Sequence, residues 1–203
     1  MTFAVGIITA PRDPSYLGLS LDSFFDEWHA TPTVFTVDMD VKYTNRYNTY
    51  RQRGLPGHKP NWMRCLRQLP DADWSIICED DIFWREGSGT ILRRYLAVVD
   101  PRGVGFVSPY CSRYNGKDRI PCWHAISQRE AWCGALCVCI PRHTRQLILE
   151  CDFPSEKGLD VDLGDFIFHN NLTIHTYVPT LIMHLGDKDE SSFFHKSARE
   201  PML

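Results

Sequence analysis

Long hydrophobic runs are missing from this sequence of 203 residues. No stretch approaches the roughly 18 apolar residues that a membrane-spanning helix needs. The apolar start at residues 3–10 also lacks the basic region that precedes the core of a secretory signal. The formal net charge of −3 gives no overall attraction to nucleic acid or to an anionic membrane. We therefore expect a protein without a membrane segment, in which any affinity for a polyanion is local.

The sequence also lacks a Cys-x-x-Cys pair, although it contains eight cysteines. Without such a pair a structural zinc site is not expected. Cys78, Cys133, Cys137 and Cys139 lie inside apolar runs, which is typical of free, buried thiols that pack as small hydrophobic groups. We therefore expect a reducing, cytoplasmic setting.

The composition that remains is that of an ordinary globular protein, with 43% hydrophobic and 23% charged residues. Its length predicts a single domain over residues 1–203. Apolar or β-branched strands are predicted at residues 4–10 and 33–37, on either side of helical spacing at residues 14–28. A strand–helix–strand start of this kind predicts an α/β fold with a parallel sheet.

Two segments lack both periodicities and are predicted to be substrate loops, at residues 42–60 and 112–128. The first interleaves cations with aromatic residues from Tyr43 to Lys59. Such a mixture suits phosphates, sugars or stacked bases, and the alternative is an ordinary exposed connection. The second segment is polar and aromatic, with Trp123 and His124 near its middle.

The most informative stretch is Glu79-Asp80-Asp81, here called the acidic turn. It follows an apolar run at residues 74–78, which predicts a buried central strand. Clustered carboxylates repel one another, so three of them at the end of such a strand indicate a compensating charge. A hard divalent cation provides one, because Mg²⁺ and similar ions take carboxylates and substrate phosphates as ligands. The alternative is a solvated acidic turn.

Four stretches, in this order along the chain, resemble the GT-A-fold glycosyltransferases, which use nucleotide-sugar donors and a DxD-type metal motif. They are Thr9-Ala10-Pro11-Arg12, Glu79-Asp80-Asp81, Trp132-Cys133-Gly134-Ala135, and a Pro-x-Leu-x-x-His-x-Gly-x(4)-Ser-Ser ending from Pro179 to Ser192. The acidic turn alone is weakly specific, whereas its combination with this distant ending is fairly specific. The resemblance implies a GT-A-like, Rossmann-type α/β/α sandwich with a mostly parallel central sheet.

The resemblance further implies a site for Mn²⁺ (or Mg²⁺) and for a nucleotide-diphosphate sugar. Asp81 would be the first metal ligand, His184 would complete the shell, and Glu79 would reach the ribose or a metal-bound water. An imidazole ligand favours Mn²⁺, although a lone histidine is usually structural. The donor would be bound by Thr9, Ala10, Arg12, Asn61, Glu79, Asp80, Lys188, Ser191 and Ser192. The alternatives are a surface cation at residue 12 and a solvated tail at residues 187–192.

In inverting members of the family, an acidic residue at the start of a helix is the general base. Asp160-Val161-Asp162-Leu163-Gly164 matches the D-x-x-L-G form of that site. Asp160 is therefore the predicted base and Asp162 the predicted N-cap of a helix at residues 163–170, with Asp162 in the catalytic role as the alternative. Trp132 and Gly134 would form part of the floor for the acceptor and the donor sugar, although residues 131–140 also fit a core strand. Residues 112–128 match nothing in the family; we expect them to cover the acceptor side, with Trp123 and His124 as the candidate contacts.

The sequence thus predicts a Mn²⁺-dependent glycosyltransferase that acts with inversion. The acceptor hydroxyl would belong to a surface oligosaccharide, a protein, or a hydroxymethylated pyrimidine in phage-like DNA, in the cytoplasm of a bacterial or phage-infected cell. One alternative is a metal-dependent nucleotidyltransferase, which is disfavoured because Thr9-Ala10-Pro11-Arg12 is not a glycine-rich phosphate loop. The other is a non-catalytic module that binds nucleotides or carbohydrates.

Overall fold

The computed structural model describes residues 1–10, 15–37, 47–52, 57–110, 122–126, 134–151 and 158–186. The strands in these ranges are β1 Phe3–Thr9, β2 Thr33–Val37, β3 Asn48–Gln52, β4 Trp74–Glu79, β5 Ile82–Trp84, β6 Val104–Ser108, β7 Cys122–Ile126, β8 Cys137–Pro141, β9 Thr173–Val178 and β10 Ile182–His184. The helices are α1 Leu17–Trp28, α2 His58–Gln68, α3 Ser88–Val98, α4 Arg142–Glu150 and α5 Leu159–His169. No helix in the described part of the chain has both the length and the apolar character that crossing a bilayer requires.

Eight of the strands form one sheet in the order β3-β2-β1-β4-β8-β6-β9-β7, and β5 and β10 form a separate antiparallel pair. Parallel pairing joins β1 to β2 and β4, β2 to β3, and β6 to β9. β8 runs antiparallel between β4 and β6, and β7 runs antiparallel along β9 at the edge. The predicted α/β fold with a mostly parallel central sheet is confirmed.

Helices cover both faces of this sheet, because the central strands are apolar on both sides. In β4, Ile76 and Cys78 belong to the core cluster that contains α1 and α3. Ile77 belongs to the opposite cluster, which contains α2, α4 and α5. A strand buried on both faces is apolar without alternation, which explains the continuous run that precedes the acidic turn.

Strand pairing brings three distant parts of the chain to the end of β4. The β1–β4 register places Ile8 beside Glu79, so the end of β1 adjoins the acidic turn. The β5–β10 register places His184 opposite Ile82. In addition, the backbone N–H of Leu185 donates to the carbonyl oxygen of Asp81 at 2.6 Å. The fold therefore builds a site from sequence segments about a hundred residues apart.

The helix that follows Gly158 begins one turn earlier than the sequence predicts. α5 starts at Leu159 with Gly158 as its N-cap, and the N–H of Asp162 donates to the carbonyl of Gly158 at 3.0 Å. The prediction of Asp162 as N-cap is therefore wrong. The physical reason is packing, since Leu159, Leu163 and Ile167 share one helix face and all three are buried in the core.

Both predicted substrate loops contain regular structure. Within residues 42–60, β3 pairs with β2 and α2 begins at His58. Within residues 112–128, β7 pairs with β9 from Cys122 to Ile126. Aromatic packing accounts for part of this order, since Tyr50 stacks on Phe35 with ring centroids 5.3 Å apart. Residues 42–46, 53–56, 112–121 and 127–128 lie outside the described part of the chain.

The cysteine prediction is confirmed wherever the structure describes the residue. Cys78, Cys137 and Cys139 are free and fully buried among apolar side chains. Burial raises the pKa of the Cys137 thiol well above its ordinary value, so this thiol is protonated at neutral pH and packs as a hydrophobic group. Cys133 lies outside the described residues.

Candidate active site

A pocket of about 280 Å³, here called the β4 pocket, opens where the ends of β1, β2 and β4 meet the first turn of α2. It is lined by Ile8, Thr9, Ala10, Val37, Gly57, His58, Asn61, Glu79 and Asp80. Open α/β sheets bind ligands in this kind of crevice, beyond the carboxyl ends of their strands. The structure therefore brings together several residues predicted to bind the donor, which are Thr9, Ala10, Asn61, Glu79 and Asp80.

Asp80 fixes the acidic turn to the end of β1. Its side chain is 1% exposed and accepts a hydrogen bond from the hydroxyl of Thr9, which is 2% exposed. A buried carboxylate requires such a partner, because removing a charge from water is costly. This contact gives Asp80 a structural role that the sequence did not indicate.

Asn61 fixes the neighbouring strand ends in a similar way. Its side-chain N–H groups donate to the carbonyls of Thr9 and Phe35, both at 3.4 Å. Its side-chain oxygen accepts a hydrogen bond from Arg64 at 2.9 Å. Asn61 therefore shapes the pocket by joining α2 to β1 and β2.

Asp81 and His184 form the pair that the sequence predicts across the chain. The imidazole Nε2 of His184 lies 3.1 Å from Oδ2 of Asp81, which is 5% exposed. Gly186 borders the same space, since a Cβ atom there would lie 3.1 Å from each of these two atoms. The missing side chain at residue 186 therefore keeps the space beside the pair open.

One carboxylate and one imidazole suit a borderline cation such as Mn²⁺. The described ranges contain no group of three or more His, Cys, Asp or Glu side chains that could hold a metal ion. Two protein ligands are nevertheless enough for a cation that takes its remaining ligands from substrate phosphates and water. The Asp81–His184 pair, with open space at Gly186, fits a cation of this type.

His58, the first residue of α2, is a site residue that the sequence interpretation missed. Its Nε2 lies 3.3 Å from Oε1 of Glu79. Burial lowers the pKa of His58, but the hydrogen bond to Glu79 and the nearby negative charges outweigh burial and raise that pKa above its ordinary value of 6.5. The charges are those of Glu79, Asp81 and Asp160. The only sequence signal for His58 was its place in the cation-rich segment that ends at Lys59.

The two candidate bases, Asp160 and Asp162, both lie in the first turn of α5 but make different contacts. The carboxylate of Asp162 forms an ion pair with Lys59, and the two side chains are 4% and 15% exposed. Asp160 is half-buried, and its Oδ1 accepts a hydrogen bond from the N–H of Val161 at 3.0 Å. The charge of Asp160 contributes to the raised pKa of His58, whereas Asp162 joins α5 to α2.

Trp123 and His124, which the sequence predicts on the acceptor side, lie at the edge of the sheet. β7, which carries Trp123 and His124, is separated from β4 by three strands, or about 19 Å at the usual spacing of strands. The Trp123 ring stacks on Tyr95 with centroids 4.1 Å apart. The structure therefore does not bring Trp123 and His124 to the β4 pocket.

Gly134 has a backbone φ of 100°, a conformation that favours glycine. A Cβ atom at this position would lie 3.0 Å from Cε1 of Tyr110. Gly134 thus allows close packing of the Tyr110 ring ahead of β8. The remaining predicted site residues, Arg12, Trp132, Lys188, Ser191 and Ser192, lie outside the described part of the chain.

No family profile and no curated protein matches this sequence, but several solved structures share its fold. The mannosyltransferase PcManGT from Pyrobaculum calidifontis, in complex with GDP-Man and Mn²⁺, is 13% identical with a TM-score of 0.55, over 87% of this chain and 54% of its own. The galactosyltransferase LgtC, in complex with donor and acceptor sugar analogues, is 10% identical with a TM-score of 0.53, over 96% and 90%. A Bacillus anthracis protein assigned as a glucose-1-phosphate thymidylyltransferase is 11% identical with a TM-score of 0.58, over 99% and 97%.

The fold is glycosyltransferase-like. At these identities the similarity shows the fold alone, and the thymidylyltransferase neighbour shows that nucleotidyltransferases share it. The chain spans 54% of the length of the mannosyltransferase. Function must therefore be argued from the site.

Proposed function

We propose that this protein is a metal-dependent glycosyltransferase that moves a sugar from a nucleoside-diphosphate donor to an acceptor hydroxyl, with inversion. One observation supports the proposal: the β4 pocket opens beside the acidic turn, and Asp81 of this turn contacts His184 of β10. A nucleotide pocket next to a carboxylate–imidazole pair is what a diphosphate donor with a bound cation requires.

The donor's base would pack against the apolar wall formed by Ile8, Ala10 and Val37. The diphosphate would then lie on the acidic side of the pocket, at Glu79 and Asp80, which directly precede Asp81. Lys188, Ser191 and Ser192, which the sequence predicts as donor ligands, would hold the phosphate oxygens. A Mn²⁺ ion bound by Asp81 and His184 would act as a Lewis acid that neutralises charge on the leaving diphosphate.

Asp160 would remove the proton from the acceptor hydroxyl as general base. Its partial exposure leaves the carboxylate accessible, whereas Asp162 is held in the ion pair with Lys59. That ion pair would keep the first turn of α5 at a fixed distance from the pocket. A correctly placed base of this kind contributes about 10²–10⁴-fold to rate.

The second candidate is a nucleotidyltransferase, favoured by the similarity to the thymidylyltransferase-type protein along nearly the full length of both chains. The two reactions differ in their products. A glycosyltransferase releases a nucleoside diphosphate from a nucleotide sugar, whereas a nucleotidyltransferase releases pyrophosphate from a nucleoside triphosphate and a sugar phosphate.

The test is a product assay with Mn²⁺, in which one set of reactions contains nucleotide sugars with acceptors and the other contains nucleoside triphosphates with sugar phosphates. The acceptors are oligosaccharides, proteins and hydroxymethylated DNA. We expect nucleoside diphosphate and a glycosylated acceptor in the first set, with loss of both in Asp160→Asn. Asp22→Asn, at an exposed position of α1, is the matched control. Pyrophosphate from the second set, without transfer in the first, would overturn the proposal.

A further inference from the structure

A cysteine and a histidine share one face of β7, away from the β4 pocket. Sγ of Cys122 lies 3.2 Å from Nε2 of His124. Successive side chains of a strand point to opposite faces of the sheet, so these two project together, whereas Trp123 between them stacks on Tyr95 of α3. Cys122 is exposed and His124 is half-buried. A solute can therefore reach both the thiol and the imidazole.

The chemistry of this pair suits a thiophilic divalent cation. Thiolate sulfur and imidazole nitrogen are the usual ligands of Zn²⁺ in tetrahedral sites. At the usual Zn–S and Zn–N bond lengths, two such ligands lie roughly 3.5 Å apart, which is close to the separation of Sγ and Nε2 in this pair. The exposed thiol and its imidazole neighbour are thus already spaced as two ligands of one zinc ion.

One chain supplies only two of the four ligands that a tetrahedral site needs. The described ranges contain no group of three or more His, Cys, Asp or Glu side chains that could hold a metal ion. β7 stands last in the order of the sheet, and among the described strands it pairs with β9 alone. An unpaired strand edge presents backbone N–H and C=O groups to which another strand can add. A chain that pairs along this edge can bring the two missing ligands.

A second copy of β7 brings them in one register. When two β7 strands pair antiparallel about Trp123, Cys122 of each copy lies opposite the partner's His124. Residues opposite each other in an antiparallel pair have Cβ atoms about 5 Å apart, and all four of these side chains lie on the same face. The contact uses the same surface of both copies, as a two-fold dimer requires.

We propose that two copies of this chain bind one zinc ion between their β7 edges, through Cys122 and His124 of each copy. The zinc ion completes its tetrahedral shell only in the dimer, so metal binding and dimer formation are coupled. This inference does not depend on the proposed function, because three strands separate β7 from β4.

The test measures zinc content and molar mass on the same sample. The protein is held in a phosphine reductant, which prevents a disulfide between copies, and is titrated with Zn²⁺. Light scattering after size-exclusion chromatography gives the mass, and metal analysis of the same peak gives the zinc content. We expect one zinc ion per two chains and a doubled molar mass, both reversed by a chelator. Co²⁺ in place of Zn²⁺ should give a sulfur-to-metal charge-transfer band, which reports a thiolate ligand.

Three variants locate the zinc site. Cys122→Ser and His124→Ala should each weaken zinc binding at least about tenfold and leave the chain monomeric, since loss of a group that only orients a metal ligand already costs about 10–100-fold. Cys151→Ser, at an exposed cysteine outside β7, is the matched control and should bind zinc and dimerise as the unmodified protein does.

Three outcomes would overturn the inference. The first is zinc binding that Cys122→Ser leaves unchanged, because the ion would then lie elsewhere. The second is a chain that stays monomeric with zinc bound, and the third is a dimer that forms equally well without zinc.

Discussion

The end of β4 and the edge of the sheet at β7 both contain histidines that contact neighbouring side chains, but the surroundings of these histidines differ. At the end of β4, each acid of the acidic turn has its own partner. Glu79 lies next to His58, Asp80 bonds to Thr9, and Asp81 lies next to His184. The acidic turn borders an open pocket.

At the β7 edge, aromatic and imidazole groups contact one another instead. Trp123 stacks on Tyr95 and packs edge-on against Tyr177. The hydroxyl of Tyr95 bonds to Nδ1 of His175, and Thr173 bonds to its Nε2 at 2.9 Å. The comparison teaches that residue type alone does not identify a site. Polar groups from distant segments that converge on open space indicate a site, whereas groups that pack against one another contribute to stability.

The largest effect on activity is expected from Asp81→Asn at the end of β4. Losing this ligand should reduce sugar transfer about a thousandfold, because Lewis-acid stabilisation of a leaving group is worth several kcal/mol. Thermal stability should change little, since the amide keeps the shape of the carboxylate. Initial rates of nucleoside diphosphate release, with Asp22→Asn as the control, measure the effect. Activity within tenfold of the unmodified protein would exclude Asp81 as a metal ligand.

The two carboxylates of α5 give the next largest effect. Asp160→Asn should reduce kcat by about 10²–10⁴-fold, the usual contribution of a general base, and leave donor binding unchanged. Steady-state kinetics and a nucleotide titration separate the two quantities.

Asp162→Asn is the matched variant, because it breaks the ion pair with Lys59. It should lower the free energy of unfolding by about 3 kcal/mol, the lower end of the range for breaking a buried pair, as measured in urea. If Asp162→Asn abolished turnover without destabilising the protein, the assignment of the base to Asp160 would be wrong.

Trp123→Ala tests the other side of the comparison. It should lower the free energy of unfolding by about 2 kcal/mol, less than the loss of a fully buried tryptophan, because the ring is only half-buried. Nucleotide binding should not change. Unaltered stability together with lost acceptor use would instead support the acceptor role that the sequence predicts for Trp123.

The smallest expected effect concerns His175 and pH. Burial lowers the pKa of His175 below its ordinary 6.5, so the unfolded chain binds this proton more readily than the folded chain. Stability should therefore fall as the pH drops below about 6.5 towards the folded pKa. His175→Asn removes this contribution, and His58 and His143 are common to both proteins. Melting temperatures at pH 7.5 and 5.5 should differ less in the variant; an equal difference would contradict the assignment.

The sequence predicted those features that depend on local pattern. Apolar runs and helical spacing gave the central strands and α1, and the order of motifs gave the Asp81–His184 pairing that the structure contains. The prediction of an N-cap at Asp162 was wrong because burial of Leu159, on the same helix face as Leu163 and Ile167, sets the start of α5 one turn earlier. His58 was missed because its contact with Glu79 depends on how α2 packs against β4, which no local pattern contains.

The packing at the β7 edge was not visible in the sequence for a related reason. A tryptophan and a histidine in a polar segment suggested contact with a ligand. In the structure, the Trp123 ring stacks on Tyr95 of α3. Such a stacking partner is 28 residues away in the sequence, so periodicity does not reveal it. The functions of all the predicted site residues stay predictions, and residues 12, 132, 188, 191 and 192 also lie outside the described part of the chain.

The most direct measurement is the melting temperature with nucleoside diphosphates, with and without Mn²⁺. At a ligand concentration of about 100 times Kd, binding stabilises the folded state by about 2.7 kcal/mol, which raises the melting temperature of a chain of this size by roughly 5–10 °C. We expect at least one nucleoside diphosphate to produce this rise only with Mn²⁺, and His184→Ala to abolish it. A melting temperature that no nucleoside diphosphate raises in a Mn²⁺-dependent way would exclude the metal-dependent donor site.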